Sequence, residues 1–139
     1  MRRQDKYPDT HVFHFHNANP KNRFTTDCVI RAICTALEIP YNQVVMEMAK
    51  LQCETGYDDG DNKLFGMYLE QKGWVKQKQP RKDDNTKYTG EEFCIFIARK
   101  KRRYVANVGG NHTVAIVNKK VYDTWDSTEG CVGNYWIKV

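Results

Sequence analysis

Cys28 stands at the head of an apolar run, Val29, Ile30, Ala32, Ile33, Cys34, Ala36 and Leu37, with Thr25, Thr26 and Asp27 just before it. Thr and Asp favour helix N-caps, and a run with almost no polar face belongs to a helix in the middle of a core. That places Cys28 in a first helical turn, where unpaired backbone N–H groups and the positive end of the helix dipole favour thiolate over thiol. His112 comes much later, ahead of Thr113-Val114-Ala115-Ile116-Val117, then Asn118-Lys119-Lys120 and Val121-Tyr122-Asp123-Thr124-Trp125-Asp126. Two β-branched and aromatic runs around a polar turn read as a hairpin whose first strand opens at His112. A loop over 118–120 sets Asp126 opposite His112 on the same face, whereas a loop of Asn118 and Lys119 alone turns Asp123 to that face. Either carboxylate can orient the imidazole, and a carboxylate-held base set against a thiol is the generalised triad of nucleophilic catalysis.

The stretch Asn22-Arg23-Phe24-Thr25-Thr26-Asp27-Cys28, followed by a helix and by a late His, strand, turn and Asp, resembles the papain-like cysteine peptidases. Its pattern is most similar to that of the bacteriocin-processing peptidase domains, whose motif has Gln, four residues, Asp, Cys and then Gly. The resemblance runs from Asn22 to about Trp136. It implies that Cys28 is the nucleophile, His112 the general base and acid, and Asp126 the orienting carboxylate. Asn22 falls at the place of the oxyanion-hole Gln, where its side-chain amide would join the Cys28 backbone N–H. The pattern departs from the family twice, since Asn22 is one methylene shorter than Gln and Val29 replaces Gly. Asp-Cys-Val-Ile-Arg-Ala-Ile together with Tyr-Asp-Thr-Trp-Asp-Ser also resembles small proteins of bacteria and their phages, a likeness that implies no function.

The elements needed to position these residues are legible. After the Cys28 helix, Pro40 starts a second helix running to about Cys53, with Val44, Val45, Met48 and Leu51 on its inner stripe. A third runs from about Asn62 to Gln71 and ends at Gly73. Lys76 to Lys87, with Pro80 and Asp83-Asp84-Asn85, reads as an exposed loop. Thr89-Gly90-Glu91-Glu92 fits a capping box for a short helix carrying Phe93, Ile95 and Phe96. From Arg103 onward the pattern is strands: Tyr104 to Val108, the His112 hairpin, and Val132 to Val139. The predicted fold is α+β and papain-like, with N-terminal helices packed on a C-terminal antiparallel sheet in a single domain over 1–139.

Other features bound the function. The five cysteines (Cys28, Cys34, Cys53, Cys94, Cys131) are odd in number with no C-x-x-C pair, so reduced thiols are expected and neither a disulfide framework nor a zinc ribbon. Cys131 sits between Gly130 and Gly133, where a turn or strand start accounts for it better than a resolving thiol. Trp125 and Trp136 read as core or cleft wall. His11, His14 and His16 lie on an alternating segment whose histidines face away from Phe13 and Phe15. An H-x-H pair can ligate a metal, but no partner is identifiable, and a polar edge strand explains it as well. Lys and Arg total 22 against 17 acidic residues, a net charge of +5, with Arg99-Lys100-Lys101-Arg102-Arg103 as a dense run. A solvated helix end explains the run, and a nucleic-acid surface is the alternative. No apolar stretch approaches the roughly 20 residues of a membrane span, and no signal-peptide core follows Met1-Arg2-Arg3, so a cytoplasmic protein is expected.

The function so read is a hydrolase that cleaves a peptide or isopeptide bond of a peptide or protein substrate through a thioester, with no cofactor or metal. Deamidases and transglutaminases use the same triad. The alternative is a catalytically silent member of the fold whose basic face binds nucleic acid or an acidic protein.

Overall fold

A computed structural model describes all 139 residues. Six strands form one sheet: β1 Phe13–Phe15, β2 Trp74–Gln77, β3 Tyr104–Val108, β4 His112–Val117, β5 Lys120–Asp123 and β6 Val132–Lys138, in the order β1-β5-β4-β3-β6-β2. The helices are α1 Arg3–Lys6, α2 Cys28–Leu37, α3 Tyr41–Thr55, α4 Asn62–Gln71 and α5 Gly90–Glu92, the last running into a π-helical turn, Phe93–Ile97. The fold is α+β. Strand alternation divides the apolar side chains between two cores. Ala115 and Val117 of β4 and Val105 of β3 meet Ala32, Ile33 and Ala36 of α2, Val44, Met48 and Leu51 of α3, and Leu64 to Leu69 of α4. Val114 and Ile116, with Tyr104, Ala106 and Val108, pack with Val12, Phe13, Phe93, Cys94 and Val121 on the other side.

Local signals set most boundaries. Pro40 precedes α3, which stops at Gly56 in the left-handed region, φ 79°. Asp61 caps α4 by accepting the Lys63 N–H at 2.8 Å. Thr89 and Glu92 close the expected capping box, with Thr89 Oγ1 accepting from Glu92 N at 3.1 Å and Glu92 Oε1 from Thr89 N at 3.0 Å.

Two expectations are corrected. The sheet is mixed, because β1 runs parallel to β5 at the sheet edge, where Phe13 is buried in the second core. The stretch expected as a loop from Lys76 instead begins inside β2, in which Lys76 pairs with Trp136 and Gln77 with Tyr135. Trp74 anchors β2 in the helical core, while the polar residues after it suit an edge strand.

Candidate active site

The β4–β5 turn decides which aspartate meets His112. Val117 pairs with Lys120, leaving a loop of Asn118 and Lys119, both left-handed at φ 52° and 61°. This is the turn whose twist matches a hairpin. Lys119 holds an unfavourable conformation there, and its Nζ donates to the carbonyls of Ala98 at 2.7 Å and Ile95 at 3.1 Å, tying the turn to the π-helical segment. In this register Asp123 shares the side of the ladder that His112 takes, and His112 Nε2 lies 2.5 Å from Asp123 Oδ2. Asp126 does not reach His112. Its Oδ1 accepts from Thr128 N at 3.0 Å and Thr128 Oγ1 at 2.6 Å, closing a turn of its own. The expectation for Asp126 is thereby corrected in favour of Asp123, the physical reason being the shorter loop.

Cys28 begins α2, half-buried, and its thiol lies near enough to His112 and the backbone N–H of Thr113 for both to bear on its titration. With Nε2 committed to Asp123, Nδ1 is the ring nitrogen left for the thiol. Burial pushes the Cys28 thiol up, but the bonds from His112 and the Thr113 N–H, with the charges on His112 and Arg31, outweigh it and hold the pKa below the ordinary thiol value. Burial likewise opposes a charged His112, yet its bonds to Asp123 and Cys28 push its pKa up to about 9. The two shifts favour the charged form of each partner, thiolate for Cys28 and imidazolium for His112. Trp125, the residue that the register sets across from His112, lies with its ring centroid 4.8 Å from the imidazole and walls it in.

Asp27 sits at the N-cap position of α2 but makes no capping bond. Its carboxylate instead accepts from Arg31 Nε at 2.8 Å, Tyr41 Oη at 2.6 Å and Asn19 Nδ2 at 3.1 Å. No side chain thus competes for the first-turn N–H groups beside the thiol. At the other end of α2, Arg103 Nη1 donates to the Thr35 carbonyl at 2.9 Å, which satisfies the negative end of the same dipole.

Asn22 is exposed in a left-handed turn, φ 54°, and its Oδ1 accepts weakly from Asn17 Nδ2 at 3.4 Å. No hydrogen bond brings it to Cys28. Sequence reasoning missed Thr113 and Arg31. The signal for Arg31 was its place three residues after Cys28, on the same helix face. A cleft of about 240 Å³ has Thr113 in its lining, with Phe65, Trp136, Asn62, Lys76 and Asn107, and is not lined by Cys28, His112 or Asp123. A register shift between Ala106 and Val108 takes Asn107 out of the β3–β6 ladder and leaves it in the cleft.

The other candidates lie apart. His14 Nδ1 bonds Asp9 Oδ2 at 2.7 Å, and the rings of His14 and His16 stack with each other and lie against Tyr122. No group of three or more His, Cys, Asp or Glu side chains converges as a metal site would require. All five cysteines are free thiols, with Cys53 and Cys131 exposed and Cys94 buried. The basic run is exposed except for half-buried Arg103, and Lys101, Arg102, Arg103 and Lys138 line a groove at the C-terminal end of α2. No helix is long and apolar enough to cross a membrane. No protein-family model, curated protein or solved structure matches the chain, so what the site can do chemically follows from its own geometry: a carboxylate-held imidazole near a helix-borne thiol.

Proposed function

We propose that this chain is a papain-like cysteine hydrolase that cleaves a peptide or isopeptide bond, with Cys28 as nucleophile, His112 as acid and base, and Asp123 as the carboxylate orienting His112. The observation that carries this reading is an imidazole 2.5 Å from a buried carboxylate, His112 on Asp123, with the thiol at the head of α2 near enough to shift with it. The Cys28 sulfur attacks the carbonyl carbon, forming a C–S bond and an oxyanion. The backbone N–H groups at the head of α2 face the developing charge, free of a side-chain cap. His112 then gives its proton to the leaving amine as the C–N bond breaks, which leaves a thioester. Water attacks the thioester while His112 takes a proton from it, and the thiolate departs. The cleft that shares Thr113 with the neighbourhood of Cys28 has aromatic walls from Phe65 and Trp136 and amides from Asn62 and Asn107 that suit the backbone of an extended chain. A helix that carries the thiol, packed on a sheet that carries the imidazole, is what the papain-like resemblance implies.

The test is the alkylation of each cysteine by limiting iodoacetamide between about pH 5 and 9, read by mass spectrometry, followed by a screen of fluorogenic peptides. Cys28 is expected to label fastest at pH 6 and to lose that lead in His112→Ala. If Cys28 reacts no faster than exposed Cys53 and Cys131, the hydrolase reading is overturned and the basic groove of Lys101, Arg102 and Lys138 becomes the surface to assay for polyanion binding.

A further inference from the structure

Arg31 is one of the few buried charged residues, 8% exposed, and it stands between two carboxylates. Its Nη1 donates to Asp123 Oδ1 at 2.8 Å and its Nε to Asp27 Oδ1 at 2.8 Å. Asp123 is 2% exposed, and each of its oxygens has an assigned donor: Oδ1 takes Arg31 and the Thr124 N–H at 2.7 Å, while Oδ2 takes His112. Asp27 is likewise filled by Tyr41 and Asn19 on Oδ2. Arg31 also lies one turn after Cys28 on α2, on the same face. One guanidinium fork therefore ties the carboxylate that orients the base to the helix that bears the nucleophile.

We propose that Arg31 is a positioning residue of the triad, which fixes Asp123 against His112 from the helix that carries Cys28 and so keeps nucleophile and base in register as one unit. The proposal rests on the triad reading above. Three features separate this role from ordinary packing. The fork serves two carboxylates in different directions, which a lysine ammonium cannot reproduce. Arg31 is buried, so it is closed to substrate and acts through Asp123. Its charge also sets the balance of the site: with Cys28 as thiolate, His112 and Arg31 as cations and Asp27 and Asp123 as anions, three negative charges face two positive ones. Removing Arg31 leaves the thiolate opposed by two carboxylates and helped by His112 alone. The remaining titratable groups near Arg31 are Tyr41 from α3 and His16 beyond β1, the latter held below the ordinary histidine value by burial and then by the charges of His14 and Arg31. That shift favours the neutral form of His16, which adds no charge to this balance.

The experiment compares the full-length wild type, His112→Ala, Arg31→Gln and Arg31→Lys by the pH dependence of Cys28 alkylation with limiting iodoacetamide, with circular dichroism as the check on folding. Arg31→Gln is expected to slow labelling at pH 6 by about tenfold or more, equivalent to raising the midpoint by about one pH unit. Arg31→Lys keeps the charge and is expected to recover part of that loss and not all of it. A wild type that labels fast, a His112→Ala that labels slowly and Arg31 variants that superimpose on the wild type overturn the role of Arg31 alone. A wild type in which Cys28 labels as an ordinary thiol overturns the triad and this proposal with it. Should Arg31→Gln not fold, the partial loss in Arg31→Lys still decides, since a wild-type profile there overturns the proposal.

Discussion

Two imidazoles in this molecule are held by aspartates at nearly the same distance. His112 Nε2 lies 2.5 Å from Asp123, and His14 Nδ1 lies 2.7 Å from Asp9. Their surroundings differ. The side chains of the first pair are 18% and 1% exposed, and those of the second are 41% and 50% exposed. Asp123 is anchored on its far side by Arg31 and Thr124, whereas Asp9 receives the Phe15 N–H and closes a loop. His112 has a thiol on its other flank, and His14 has the rings of His16 and Tyr122. A short histidine–carboxylate contact is thus no mark of catalysis by itself. What distinguishes His112 is a buried carboxylate, held from behind, and a thiol nearby, because water screens the exposed pair and weakens what its charge can do.

The sharpest contrast is in turnover. Once a peptide substrate is in hand, His112→Ala is expected to lower kcat/KM by about a thousandfold or more, and His14→Ala by no more than about twofold. Equal losses in a steady-state assay would break the comparison. Stability follows the same division. Asp123→Ala strips His112 of its carboxylate and Arg31 of one of its two, and should cost about 3–5 kcal/mol in urea unfolding, while Asp9→Ala should cost less than about 1 kcal/mol.

The pH dependence sharpens it further. His112 gains its partners on folding, so its raised pKa adds stability that is whole below the unfolded value of about 6.5 and is lost as the pH climbs through about 9. The depressed pKa of Cys28 acts in the opposite sense, adding stability above the ordinary thiol range and losing it as the pH falls through the folded value. The thiolate–imidazolium pair exists between these limits. Turnover should therefore trace a bell whose alkaline limb lies near pH 9, and His14→Ala should leave both limbs in place. The smallest effect is expected at the ring packed on His112: Trp125→Ala should lower kcat/KM by about two- to tenfold, the scale of one aromatic contact.

Local signals in the sequence carried much of this molecule. Pro40, Asp61, Gly56 and the Thr89–Glu92 box place helix ends within a few residues, because capping and left-handed termination involve neighbours along the chain. Cys28 at the head of an apolar helix and His112 at the head of a strand were readable for the same reason. β2 was not, because an edge strand with Lys76 and Gln77 has the composition of a loop, and only its pairing with β6 reveals it.

The sequence by itself determined the residue types and the elements that bear them: a thiol on a helix N-terminus, an imidazole on a hairpin, and aspartates within reach of it. Tertiary structure decided which aspartate is used and what each polar group bonds. The two-residue turn at Asn118 and Lys119 selects Asp123, because shifting the register by one residue moves every side chain to the opposite face. It also turned Asp27 from a helix cap into a partner of Arg31 and Tyr41, and left Asn22 in an exposed turn without a bond to Cys28. Arg31 and Asp123, 92 residues apart, meet only in the folded chain, a pairing that no local preference encodes.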